Sequence, residues 1–186
     1  MSKIITFFII LFLAFYANAK LIKVSNSGKL LENNSSQWNC VFDDKTELIW
    51  EVKTDKQGLQ NKNNTYTWFE DESGEQNGKY SNSCDWGSNC NSKKYIIELN
   101  KTGLCNSSNW RLPTEKELSS LLFYSDYNPL INTDYFPNTQ AKYYWSSTSH
   151  NKNPSVAIDI PFFYGGKRGS DKSFNSHIRG VAKFKQ

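Results

Sequence analysis

Two histidines, one methionine and four cysteines in 186 residues leave little material for metal or thiol chemistry. The sequence has no H-E-x-x-H pair, no serine-centred nucleophile elbow and no nucleotide-binding loop, which argues against those enzyme classes. No cysteine pair has C-x2-C spacing and no histidine lies near one, so zinc is the weaker rival of disulfide bonding. Calcium-dependent sugar binding lacks its E-P-N, Q-P-D or W-N-D trio, and "DWGSN" at 85–89 is only a faint echo. Net charge is +4, too small an excess to imply a nucleic-acid partner. After the first residues no segment is apolar enough to span a bilayer, and no internal repeat is present.

What is present begins with an export signal. Lys3 precedes the apolar run Ile4–Tyr16, and Ala17-Asn18-Ala19 offers the small-x-small pattern of a cleavage site. Residues 1–19 therefore read as a signal peptide, with no lipid-anchoring cysteine after it and no membrane anchor left once it is removed. A secreted, periplasmic or cell-surface location is expected. Residues 20–37 read as a polar, loosely ordered lead-in, in which Leu21, Ile22 and Val24 can form a short strand, and 38–186 as one domain. Six Trp, ten Tyr and twelve Phe argue against disorder, because so many rings must be buried or used.

An even cysteine count behind a signal reads as two disulfides. Of the three connectivities, Cys84–Cys90 with Cys40–Cys105 is favoured. The first closes a short Gly/Ser/Asn loop, and the second ties an early strand to the end of a helix. "WNCVFDDKTELIWEVK" reads as a hairpin around a DDKT turn, so Asp43 and Asp44 are turn residues rather than an acid/base pair. A helix is expected over Ser92–Lys101, capped by Ser92 and stopped by Gly103. The "PTEKELSSLLFYS" stretch is the clearest helical pattern: Thr114 and Glu117 form a capping box, and Leu118, Leu121 and Leu122 share a face. Strands follow at 143–148, 155–162 and 177–184, with Val156, Ile158 and Ile160 alternating against Ala157 and Asp159 as in a half-buried strand. Strands, helices, then strands indicate an α+β fold.

"NWRLPTEKEL" invites a functional reading, yet Arg111, Leu112 and Pro113 have no group suited to proton transfer. Pro113 holds Leu112 extended, which points Trp110 and Leu112 to one side and Arg111 to the other. The stretch is a structural bracket, made of Trp110, Arg111, Pro113, Thr114 and Glu117. Charge is uneven along the chain: residues 43–75 hold nine acids and four bases, while 138–186 hold eight bases and two acids. The glycine-rich stretch "FFYGGKRGSDKSFNSH" (162–177) combines rings and cations, so Tyr164, Lys167, Arg168, Lys172 and His177 are the candidate ligand-binding residues. No catalytic residue, metal ligand or cofactor is expected.

"WRLPTEKEL", then "YYWSST" and "HIRGVA", resembles the Lcl C-terminal domain family of exported bacterial proteins. The blocks "WNCVFDDKTELIWEVKT", "NTYTW" and "LNKTGLCNSSNWRLPT" extend the likeness over about 38–183. "RLPTEKE" alone also resembles formylglycine-generating-type domains. Both likenesses imply a C-type-lectin-like α+β fold, with Trp145 and Arg179 among the structural positions. The chain departs from the family pattern where Glu47 replaces a turn glycine, and where Gly180-Val181-Ala182 follows Arg179 without a second arginine. The formylglycine chemistry would use late cysteines, and none follows Cys105. The resemblance therefore implies a non-catalytic adhesion-type module that contacts a glycan, sulfated or otherwise anionic polysaccharides being one class, or an extracellular protein. The alternative is an envelope-assembly domain.

Overall fold

The computed structural model describes residues 20–76, 83–124 and 128–185; the expected signal peptide lies outside them. In chain order the elements are β1 (Leu21–Val24), β2 (Cys40–Asp43), β3 (Leu48–Glu51), β4 (Phe69–Glu70), β5 (Ser73–Gly74), α1 (Ser92–Lys101), a 3-10 turn (Leu104–Asn106), α2 (Glu115–Ser119), β6 (Tyr143–Ser149), β7 (Val156–Pro161), β8 (Arg168–Asp171) and β9 (Val181–Lys183). All strand pairs are antiparallel, in sheets ordered β1-β2-β3-β9, β4-β5 and β6-β7-β8. The fold is α+β, as the element order suggests.

The first sheet is covered on both faces, and its register shows how. Val41, Trp50 and Val181 stand in one cross-strand row, while Phe42, Ile49 and Ala182 form the next. Side chains alternate across a strand, so the two rows enter different cores. Val41, Trp50 and Val181 pack with Leu118, Leu121, Tyr144, Ile160 and Phe162. Ile49 and Ala182 pack with Tyr95, Leu99, Trp110 and the Cys40–Cys105 disulfide. Every residue of β3 is buried, Glu51 included.

The Trp110–Glu117 bracket joins this sheet to α2. Trp110 and Leu112 are buried, whereas the Arg111 side chain turns outward, as its extended backbone requires. Arg111 also exchanges backbone hydrogen bonds with Val181 beyond the β3–β9 pair. Its guanidinium grips both Glu117 oxygens at 2.7 and 2.8 Å. Glu117 in turn accepts from the Thr114 backbone N–H, and Thr114 Oγ1 accepts from the Glu117 N–H, which completes the capping box. Arg111 chiefly, together with the Thr114 N–H, holds the Glu117 carboxyl down at about 2.

The long polar segment before α1 is pinned by its aromatic island. Tyr66, Thr67, Trp68 and Phe69 are buried. Trp68 Nε1 donates to the Ser146 carbonyl and Trp145 Nε1 to the Tyr66 carbonyl, both at 2.8 Å. Trp145 is thus a structural indole, clamping this segment to β6. Cys84–Cys90 closes the second disulfide, so both bridges pair as the spacing favours.

Several local expectations are corrected. Asn91, not Ser92, caps α1: Asn91 is extended and accepts from the Lys94 N–H. Ser92 is buried and instead exchanges hydrogen bonds with the Phe69 backbone. Helix α2 runs only from Glu115 to Ser119, because the chain tightens into i→i+3 bonds from Leu121 and Leu122 onward. Strand 177–184 shrinks to Val181–Lys183, since His177 bridges Tyr144 in the third sheet before the chain crosses to the first. The lead-in is not loose: β1 is an edge strand, and Lys23 donates to the Ser35 carbonyl while lying over the Trp38 ring. Asp159 is not on a solvated face but fully buried, as is Ala157. At Gly180, an added Cβ would meet Leu99 Cδ2 at 2.7 Å, so the residue after Arg179 has no room for a long side chain. Glu47 keeps the turn's left-handed backbone (φ 57°) without the usual glycine.

Left-handed backbone costs a non-glycine residue roughly 1–2 kcal/mol, offset in part by glycine's greater unfolded-state freedom. Glu47→Gly should therefore raise stability by about 0.5–1 kcal/mol in urea titration. The two disulfides close loops of very different length, with sequence separations of 65 and 6. Removing the Cys40–Cys105 pair by double alanine substitution should cost about 4 kcal/mol, against about 2 kcal/mol for Cys84–Cys90. Denaturant midpoints of the two double variants give the comparison.

Candidate functional site

The glycine-rich stretch becomes the turn between β7 and β8, and its rings and charges are ordered by the strands beneath. Asp159 on β7 pairs across the ladder with Arg168 on β8. The buried Asp159 carboxylate accepts from Arg168 Nε at 3.2 Å and Nη2 at 2.7 Å, and from Ser170 Oγ at 2.8 Å. Planar guanidinium matches carboxylate in this two-point geometry. The other surface of the guanidinium covers the Tyr143 ring, 3.4 Å from its centroid. Tyr143 meets Phe163 edge-on at 5.1 Å, and Phe163 meets Tyr164 edge-on at 4.5 Å. An aromatic ladder thus climbs from β6 to the tip of the turn.

On the other face of the hairpin, toward α2, lies a cleft of about 440 Å³ lined by Glu115, Thr148, His150, Ile158, Lys167 and Arg168, among others. Lys167 Nζ donates to Glu115 Oε1 at 2.7 Å. Glu115 opens α2, and its N–H donates to Thr148 Oγ1 at 3.0 Å. The bracket described above therefore places one wall of the cleft. Its walls carry both signs of charge, each already matched, together with hydroxyl and imidazole groups. That arrangement can hydrogen-bond a polyol from several directions.

Of the five candidate ligand residues, Tyr164, Lys167 and Arg168 come together here. Lys172 and His177 do not. Lys172 is buried, its ammonium 4.0 Å from the Trp68 ring centroid and 2.8 Å from Ser73 Oγ, because the aromatic island folds over it. His177 is buried against Tyr144, with ring centroids 5.2 Å apart. Arg179 is wholly buried, as a structural role requires: it donates to the Glu51 carbonyl and to Thr139 Oγ1. Sequence reasoning missed Phe123 and Tyr124, both exposed. Two apolar rings in succession at the end of the α2 pattern were the available signal. Among the described residues, no group of three or more His, Cys, Asp or Glu could hold a metal ion.

Burial pushes the His177 imidazole down to about 4, with Lys53 adding repulsion. Burial raises Glu70 to about 7, with Asp71 adding to it. The signs oppose. His177 contributes stability above its unfolded value of 6.5, which is lost as pH falls toward 4. Glu70 contributes below 4.5, and that contribution is lost as pH rises toward 7. The His177 effect is therefore visible only as a difference. Wild type should lose about 3 kcal/mol relative to His177→Gln between pH 7 and pH 4, read from urea unfolding at each pH.

No curated protein and no solved structure matches the chain. The family model of the Lcl C-terminal domain matches residues 39–182, a span that includes both disulfides, the bracket and the β7–β8 turn. The chain belongs to the Lcl C-terminal domain family.

Proposed function

We propose that this is an exported, non-catalytic recognition domain that binds an extracytoplasmic glycan at the β7–β8 turn. One observation carries the reading: an aromatic ladder and a polar cleft flank the turn on its two faces, and Tyr164 stays 55% exposed at the tip. Binding sites commonly combine ring surface with a few fixed polar groups. Two supports come from the frame. The disulfides fit an oxidising compartment, and the hairpin bearing the turn is anchored by the buried Asp159 pair.

The formylglycine-type alternative has less to stand on. All four cysteines are engaged in disulfides, so none offers a thiol. The sulfated-glycan version is also weakened, because Lys167 and Arg168 both face carboxylates already.

The disulfide-bonded protein should be retained on an array of microbial and host polysaccharides. Tyr164→Ser should weaken retention at least tenfold while leaving the melting temperature within about 1 °C. Retention only by extracellular proteins would replace the glycan with a protein ligand, and retention by neither would overturn the recognition reading.

A further inference from the structure

Tyr124 and Tyr164 come from distant parts of the chain yet meet at one glycine. Tyr164 directly precedes Gly165, and an ideal Cβ on Gly165 would lie 2.8 Å from both Cε1 and Oη of Tyr124. The Tyr124 ring therefore rests on the bare Gly165 backbone, whose φ of +79° itself favours glycine. Backbone hydrogen bonds hold the two segments in place. The Phe123 N–H donates to the Leu130 carbonyl at 3.0 Å, and the Leu130 N–H to the Phe162 carbonyl at 2.7 Å. Neither phenol ring is spent on the core: Tyr124 is 70% and Tyr164 55% exposed. Both rings are thus held on ordered backbone with most of their surface left to solvent.

We propose that Tyr124 and Tyr164 form a stacking ledge, seated on Gly165, for the sugar rings of an uncharged oligosaccharide whose hydroxyls reach the Glu115–Lys167 pair. The inference rests on the glycan reading above and names its ligand class. A pyranose ring presents C–H groups on its faces and hydroxyls around its rim. The faces suit the negative π surface of tyrosine, and the rim needs donors and acceptors together. Lys167 brings donors, and its partner Glu115, partly exposed, brings acceptors.

Charge decides against an anionic ring. The two cations of the turn itself are already matched, Lys167 by Glu115 at 2.7 Å and Arg168 by Asp159 at 2.7 Å. A sulfate or carboxylate would meet cations whose charge those partners already balance, and would be repelled by the partly exposed Glu115 carboxylate. A neutral hydroxyl meets no such repulsion. An ammonium carries three protons and a carboxylate several lone pairs, so the Lys167–Glu115 pair can stay closed and still hydrogen-bond a ligand.

Titration calorimetry with neutral hexasaccharides of the β-glucan, β-mannan and chitin types, and with a heparin hexasaccharide, tests the proposal. At least one neutral hexasaccharide should bind, with affinity changing less than threefold between 50 and 500 mM salt. Tyr124→Ala and Tyr164→Ala should each weaken it at least tenfold. Gly165→Ala, which keeps both phenols but unseats Tyr124, should weaken it similarly, while Tyr124→Phe should retain most of it. Melting curves of the exposed-tyrosine variants should match wild type. Binding of heparin alone, lost at high salt, would overturn the ledge and leave the glycan reading standing. So would neutral binding indifferent to Tyr124→Ala. Binding of no saccharide in the panel, together with no retention on the polysaccharide array, would overturn both.

Discussion

One buried carboxylate holds the centre of this molecule. Glu51 Oε1 accepts from Lys53 Nζ at 2.9 Å and from the Tyr95 hydroxyl at 2.5 Å, while Oε2 accepts from the Gly180 N–H at 2.9 Å. Its own backbone N–H donates to the Gly180 carbonyl, and its carbonyl accepts from Arg179. Strand β3, helix α1 and the run into β9 are thus joined at one residue. A buried cation stripped of its counter-ion costs about 3–5 kcal/mol, so these elements cannot part independently. Burial drives the Lys53 and Arg179 pKa values down, and Glu51 works against that in both. Gly180 completes the arrangement, because its backbone must approach Glu51 where Leu99 and Trp110 leave no space for a side chain.

This centre explains which parts of the sequence could be read correctly. Local rules served where local chemistry decides. The T-x-x-E box at Thr114, the extended Leu112-Pro113 step and the spacing of Cys84 and Cys90 are all satisfied within a few residues. The i→i+2 alternation of Trp110 and Leu112 buries those two and sends the Arg111 side chain outward, where it stays partly exposed. The one-residue shift of the α1 cap is a near miss: Asn91 and Ser92 are both good caps, and a tertiary contact with Phe69 claimed the serine.

Local rules failed where a second layer arrives from far away. Glu51 and Lys53 alternate with Trp50 and Val52, which in a one-sided sheet would place both charges in water. Here the opposite face is covered by α1, and both are buried. Lys172 sat in a polar, glycine-rich stretch with every mark of a surface cation, yet Trp68, over a hundred residues earlier, forms its pocket. His177 is buried because the chain crosses between sheets there rather than continuing one strand. None of these contacts leaves a trace in residue spacing.

The same distinction bears on the ligand. Counted along the chain, residues 138–186 are strongly basic, and that excess suggests an anionic partner. Counted in space, the excess largely disappears around the β7–β8 turn. Lys172 and Arg179 are withdrawn into the interior, Arg168 is bound to Asp159, and Lys167 meets a carboxylate from α2, outside the basic stretch altogether. Charge that is already paired steers a ligand weakly, because a field at a distance depends on the local sum and not on the number of cations. What the turn still offers is ring surface held at fixed positions: Tyr164 above Phe163 and Tyr143, and Tyr124 across Gly165. On the proposed reading, a turn that neutralises its cations while leaving two tyrosines in water suits contact by shape and hydrogen bonding rather than by charge.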